Sequence, residues 1–546
     1  MPRTAFARRL SAAAAAVALL LAAGAVSAQD FSAQRISDEI RTISADAFQG
    51  RYPGTDGERL TLEFLQAQYE AMGLEPGGPN GQWLQPIDLK RFTPVEGSTS
   101  VSWSGPDGAA KALTPGSDIN LRAVSNDGRA AIQNAGLVFA GYGITAPERN
   151  WDDYGGVDVT GKIVLVLAGE PDGELFNGAY ATNYQSAAYK GDEAKRRGAV
   201  GVITVVDAGA GDAAWTRQAQ FNARQRTLTP GAADLEFTGA INRDTAQALG
   251  AAAGLDLAAL RAQAASGQFK ATALEGVALS VATAETIDSL RTHNLLARIP
   301  GTTRPNETIV YSAHWDHVGV EEDAPGDDKI FNGAWDNASG TIGVLEMARQ
   351  LKAAGPAERS FVFAHMAAEE MGLLGAYAYA ADPVWPLETT VANINIDMLP
   401  LSPSTRDVAI FGKGQNELED RLAVLAEAQG RYVTDDRQPE QNFYYRSDHF
   451  PFARAGVPAL MPWHGVDWVE GGREAGLAAW QAKFAADYHR PSDEWSADWD
   501  LTSAVENLTL LYRLGLELAN GSDWPGWKPT SEFGQVRARS DDARSQ

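Results

Sequence analysis

The chain of 546 residues contains no cysteine. Disulfides and thiolate metal sites are therefore excluded, and a chain this long buries enough surface to fold without either. Any metal site must be built from histidine and carboxylates. Histidine is itself scarce: there are seven, and all of them (His293, His314, His317, His365, His449, His464, His489) follow residue 292. If imidazole carries the chemistry, the first half of the chain is scaffold or substrate shaping. Positive charge is also in deficit, with a formal net charge of −24. That excludes nucleic acid and anionic membrane as natural partners and implies a solvated acidic surface. The only long apolar run lies near the start. Arg3, Arg8 and Arg9 precede an alanine-rich stretch from Leu10 to Val26, and Val26-Ser27-Ala28 offers small residues for cleavage before Gln29. Residues 1–28 read as a signal peptide, so we expect an exported, periplasmic or secreted protein without stable membrane association. Two common catalytic signatures are missing as well. There is no His-Glu-x-x-His, and Asn337 stands where a Gly-x-Ser-x-Gly elbow around Ser339 needs its first glycine.

What is present divides the chain by texture. Ile36, Ile40 and Ile43, then Leu65, Tyr69 and Met72, recur at helical spacing around a glycine-rich polar loop, residues 48–54. Residues 29–90 thus form a helical opening. From there to about 285 the chain breaks into short β-like runs, with good strands at 136–144, 162–167 and 200–206. Residues 91–285 are expected to form a separate β-rich insertion. Residues 286–525 alternate strand and helix, with strands at 308–313, 360–364 and 391–396 and a helix from Ser339 that Gly355-Pro356 ends. That alternation predicts an α/β fold: a doubly wound, mostly parallel sheet with helices on both faces. Residues 526–546 read as a loose polar tail.

The chemistry-bearing residues fall at the ends of these strands. His314 and Asp316 follow the first, two residues apart and on one face while the chain stays extended, so the Asp316 carboxylate could hold the second imidazole nitrogen. Glu369 and Glu370 follow the second, and Asp397 ends the third. Asp336 sits in the loop Gly333-Ala334-Trp335-Asp336-Asn337-Ala338-Ser339-Gly340, and His489 lies in Asp487-Tyr488-His489-Arg490-Pro491-Ser492-Asp493. Singly, each fits an N-cap, an Asx turn or a solvated carboxylate. Jointly they place buried-side charge at the end of each successive strand, which a pair of divalent cations resolves. Three ligand carboxylates (Asp336, Glu370, Asp397) and a bridging hydroxide balance two doubly charged ions, with neutral His314 and His489 completing the shells. Glu369 is left beside a ligand, where a general base for hydrolysis belongs.

His314-x-Asp316, Asp336-Asn337-Ala338-Ser339-Gly340, Glu369-Glu370-x-Gly372-x-x-Gly375, Asn395-x-Asp397 and Tyr488-His489 occur in the order and spacing of the M28 metallopeptidases. The chain resembles that family of di-zinc aminopeptidases and glutamate-carboxypeptidase-like enzymes. Residues 130–285 look similar to the protease-associated (PA) domain often inserted in it, through residues 139–144 and Asp152-Asp153-Tyr154. The resemblance implies two Zn²⁺, with Co²⁺ or Mn²⁺ as alternatives. One ion takes His314 and Asp397, the other Glu370 and His489, and Asp336 bridges them. Glu369 becomes the base and Asp316 supports a ligand. A cis bond is implied at Asp336-Asn337. Tyr444, three before Ser447, matches a tyrosine that supports the oxyanion in some members, with Tyr445 as the neighbouring choice. Trp335 departs from the small or acidic residue of many relatives and suggests a narrowed pocket, and Trp463, Trp468 and Trp480 an apolar wall. His293, His317, His365, His449 and His464 are read as structural. The implied activity is release of N-terminal residues from peptide substrates. A hydrolase of acidic C-terminal residues or dipeptides is the alternative, for which Arg446 is the one basic residue near the site.

Overall fold

A computed structural model describes residues 31–229 and 235–544; the expected signal peptide lies outside them. Three strands form the middle of the C-terminal sheet: Arg304–His314, Arg359–Met366 and Thr390–Asn395. The central strand pairs in parallel with both of the others, and Thr390–Asn395 continues the parallel run to Ala459–Leu460. Along Arg359–Met366 and Thr390–Asn395 every residue is buried, as expected of parallel strands covered on both faces. The alternation of side chains shows the two layers. Ile309, Tyr311, Ala313, Phe361 and Phe363 pack with the helices Ala33–Ile43, Gly340–Ala354 and Thr502–Asn520, whereas Val310, Val362 and Ala364 pack with Leu374–Ala381 and Phe452. The fold is thus the expected mixed α/β architecture. The opening helices Ala33–Ile43 and Asp56–Ala71 lie where the isoleucine and leucine spacing put them.

The β-rich region has its own core around Leu137, Phe139, Ile163, Leu165, Ile203 and Phe237. Its strands Arg129–Phe139, Ile163–Leu167, Gly201–Val206 and Phe237–Asn242 pair in parallel in that order. One 28-residue strand, Thr272–Ile299, runs through both sheets. Up to Ala284 its partners are strands of the β-rich region, and from Glu285 to Leu295 it pairs with Leu84–Pro94. Residues 295–299 then pair with Arg359–Met366.

The C-terminal segment corrects the expectation of a loose tail. Phe533 is buried in an aromatic cluster with Trp527, Tyr444 and Phe450. The buried Arg537 guanidinium donates to the main-chain oxygens of Leu387 and Thr390 at 3.0 and 2.8 Å. A few aromatic and arginine anchors fix a segment whose average composition is polar. No helix among the described residues is long and apolar enough to cross a membrane.

Candidate active site

The parallel strands deliver their carboxyl ends to one place, as open α/β sheets do at a ligand crevice. His314, the last residue of its strand, is 1% exposed. Its Nδ1 donates to the main-chain oxygen of Asp316 at 3.1 Å, which leaves Nε2 facing the site. The Asp316 carboxylate is 3.9 Å from that ring. This corrects the expected carboxylate–imidazole bond. The buried Asp316 side chain instead accepts the N–H groups of Glu369 and Glu370 at 3.1 and 3.4 Å, holding the carboxylate pair in position.

Two triads result. His314 Nε2 lies 3.4 Å from Asp336 Oδ1 and 3.4 Å from Asp397 Oδ1. His489 Nε2 lies 3.1 Å from Asp336 Oδ2 and 3.1 Å from Glu370 Oε2. Ligand atoms at the corners of a tetrahedron with bonds of 2.0–2.1 Å stand roughly 3.3 Å apart, so these separations are of the size a cation site needs, and Asp336 presents one oxygen to each triad. Glu369 Oε2 is 3.9 Å from His314 Nε2, beside the first triad and outside the shorter contacts.

Local structure explains this placement. Gly333 has φ +54°, and a Cβ there would meet the Asp336 carbonyl oxygen at 2.3 Å and the His317 ring at 2.5 Å. Only glycine fits where the loop folds over itself. The Asp336-Asn337 bond is cis. Asn337 Oδ1 accepts the N–H groups of Gly340 and Met398, both at 2.9 Å, tying the loop to the chain just past Asp397. Ser447 donates to Asp397 at 2.6 Å and accepts from Asn395, whose oxygen takes the Ser312 hydroxyl. This buried relay crosses three segments.

Electrostatics follow from crowding. Burial pulls the His489 imidazole down, but its bonds to Asp336 and Glu370 dominate and push it up to about 11. Burial raises Glu370 and nearby Asp336 adds to that, yet the imidazoles of His317 and His489 hold it at about 2. Imidazolium charge balances the carboxylates, the task a cation pair would take over. Burial, with Glu370 and Asp397 near by, raises Glu369 well above the ordinary glutamate value.

Several contacts were not legible in the sequence. His317, read as structural, donates to Glu370 at 2.6 Å. Asp493 accepts the N–H groups of Trp335 and Asp336 at 2.8 and 2.9 Å. Tyr488 lines the pocket at the triads and stacks on His489. Its sequence signal was adjacency to His489. Tyr444 is a correction, because it does not line that pocket. Its buried ring packs against Gly412, His449 and Phe533 on the far side of its own loop. The Tyr445 hydroxyl also points away, donating to the Ala181 carbonyl at 3.3 Å. Trp335 is likewise corrected. It stacks on His464 and lines a neighbouring pocket with Trp468 and Trp480, while Trp463 borders the triads. His293, His365 and His464 bond Glu58, Tyr69 and the Met398 carbonyl, outside the triads. His449 is fully buried.

Imidazoles and carboxylates grouped closely enough that they could hold a metal ion thus lie at the carboxyl ends of an α/β sheet. Residues 294–512 match the family model of peptidase family M28, and residues 124–249 match the PA domain. Residues 294–512 are thus a peptidase family M28 domain, and residues 124–249 a PA domain. Aminopeptidase NAALADL1 of Mus musculus is 33% identical over 118 residues, 20% of this chain and 14% of that protein. Aminopeptidase YwaD of Bacillus subtilis is 27% identical over 169 residues, 29% of this chain and 32% of that protein. The matched stretches therefore span a third or less of these relatives. Among solved structures, an aminopeptidase from Aneurinibacillus sp. strain AM-1 aligns with a TM-score of 0.46 at 19% identity, covering 92% of this chain and 96% of that one. BSAP, a zinc aminopeptidase from Bacillus subtilis, aligns at 0.40 and 20% identity, covering 92% and 99%.

Proposed function

We propose that this chain is an exported metallo-exopeptidase releasing N-terminal residues from peptides, with two zinc ions held by His314 and Asp397, by His489 and Glu370, and by Asp336 between them. The two triads sharing Asp336 carry this reading, and relatives named aminopeptidase and zinc metalloprotease support it. Bound there, divalent zinc would lower the pKa of a water and polarise the scissile carbonyl. The protein's own groups do the rest. Glu369 accepts a proton from the attacking water and passes it to the leaving amine nitrogen. The Tyr488 hydroxyl, on the same pocket wall, donates to the oxygen that gains negative charge. Asp316 and Asp493 position the carboxylates through main-chain N–H groups. Met398, Phe443, Met461 and Trp463 offer an apolar side chain its place.

Asp336, Glu369 and Asp397 line the pocket against a single guanidinium, Arg446. Outside the proposed ligands only Glu369 and Arg446 are charged there, so aminopeptidase over carboxypeptidase action is supported instead by the relatives named aminopeptidase. The test compares leucyl-glycyl-glycine with its N-acetylated and C-amidated forms on zinc-loaded protein. Cleavage should need the free amine and tolerate the amide; cleavage of the acetylated peptide refutes the reading. Glu369→Gln should keep fold and metal while kcat falls by about 10²–10⁴.

A further inference from the structure

Phe443 and Arg446, which border the triads, belong to a wall built from two single 3₁₀ turns, Pro439–Gln441 and Phe443–Tyr445. Asn442 joins the turns in the left-handed region, at φ +56°. Turns this short hold little structure of their own, so their surroundings decide where the wall stands. Phe443 rests on Phe411 and Trp463, with ring centroids 5.2 and 6.2 Å apart. Apolar packing is non-directional, however, and does not fix the register of a turn. Arg446 is exposed and lies 5.0 Å over the Phe443 ring, so it follows that ring.

Directional contacts come from the PA domain. Gln185 Nε2 donates to Asn442 Oδ1 at 2.8 Å. Near that bond, Tyr180 donates to Asp435 and Tyr445 to the Ala181 carbonyl, each at 3.3 Å, and Asp192 pairs with Arg454. Of these contacts, the Gln185 bond alone reaches the residue that joins the two turns.

Gln185 itself stands on a fixed base. It ends the turn Asn183–Gln185, and Ser186 then caps the helix Ala187–Arg196 by accepting the N–H groups of Ala188 and Tyr189 at 3.2 and 3.4 Å. From that helix the buried Lys190 donates to the Leu167 carbonyl at 2.6 Å, which fastens the segment to a strand of the PA core.

We propose that Gln185 is a positioning residue for the peptidase reaction. Through Asn442 it holds Phe443 and Arg446 against the pocket at the triads, so the PA domain sets how well a large apolar substrate side chain is bound. The inference rests on the peptidase reading above and deepens it. Gln185 does not line that pocket, so it acts on binding and leaves the reacting groups in place.

The experiment compares kcat and KM of the zinc-loaded full chain on leucyl-glycyl-glycine and alanyl-glycyl-glycine, since alanine's methyl is too short to depend on the Phe443 wall. In Gln185→Ala, KM for the leucyl peptide should rise about fivefold, with its kcat and both constants of the alanyl peptide within about twofold. Asn442→Gly keeps the left-handed backbone and loses the acceptor, so it should show the same rise, and adding Gln185→Ala should change nothing more. Asn442→Asp keeps both the acceptor and the backbone, so its KM should stay at the wild-type value. An unchanged KM in Gln185→Ala, a rise shared equally by both peptides, rises that add in the double variant, or an Asn442→Asp variant as weak as Asn442→Gly overturns the proposal.

Hydrogen exchange supplies a readout that needs no turnover. The Tyr445 and Arg446 N–H groups, which close the second turn, should exchange about fivefold faster in Gln185→Ala, with the strand Arg359–Met366 unchanged. Equal exchange in the two proteins overturns the proposal. If no peptide is cleaved by any form, the peptidase reading fails, and the exchange alone decides whether Gln185 positions the wall.

Discussion

Asp493 touches none of the triad atoms through its side chain, yet its two carboxylate oxygens take the N–H groups of Trp335 and Asp336. It fixes the turn from which the shared carboxylate projects. Asp493→Asn puts an N–H donor against one of those N–H groups, and losses of supporting groups commonly weaken metal binding by about 10–100-fold. We expect a loss of that size with the fold intact, read by competition with a chelating dye. At this scale His314, Glu370 and Asp397 were legible as candidates because each follows a short apolar run, whereas Asp336 and His489, in polar stretches, were read through motif order. The groups that aim them were not, since Asp493 and His317 act through contacts that only the folded chain creates. Tyr444 and Tyr445 show the limit most plainly. Adjacent tyrosines look alike in sequence, and the path of the backbone turns both away from the triads.

Among elements, residues 48–54 read as an ordinary polar loop, but Arg51 within it is fully buried. Its guanidinium donates to the carbonyls of Ile43, Trp315, Asn332 and Gly333, at 2.6–3.2 Å. It therefore clamps the first helix to the two loops carrying Asp316 and Asp336. Partners 264–282 residues away leave no local trace in the sequence. Arg51→Met leaves four buried carbonyls without this donor, a change that costs about 3–5 kcal/mol. Denaturant unfolding should show that loss, and a change below about 1 kcal/mol would rule out the clamp. The strands, by contrast, were legible, because fully buried parallel strands appear as unbroken apolar runs.

Across the whole molecule, the PA region is held to the M28 domain by the shared strand Thr272–Ile299 and by the C-terminal segment. Glu532 of that segment accepts the Asn183 N–H at 3.0 Å, while its other oxygen is buried with no partner among the described residues. Burial chiefly raises this carboxyl from the ordinary 4.5 to about 8; Arg149 pulls it down, and Glu170 and Glu148 add to the rise. The folded protein keeps a proton that the unfolded chain has released. Glu532 thus favours folding below pH 4.5, and its contribution is lost as pH rises towards 8. Glu532→Gln should flatten the fall in melting temperature between pH 5 and 8; parallel curves for variant and wild type would contradict this. The spacing of apolar residues foretold the overall architecture but not this contact, which depends on how the last segment returns to the PA region.

The central claim is that carboxylates from separate strands converge because two cations neutralise them. Metal analysis of protein dialysed against trace zinc tests this directly. We predict two zinc ions per chain in the wild type and a marked loss in Asp336→Ala, whereas one ion or none in the wild type, or two tightly held in the variant, would contradict the account.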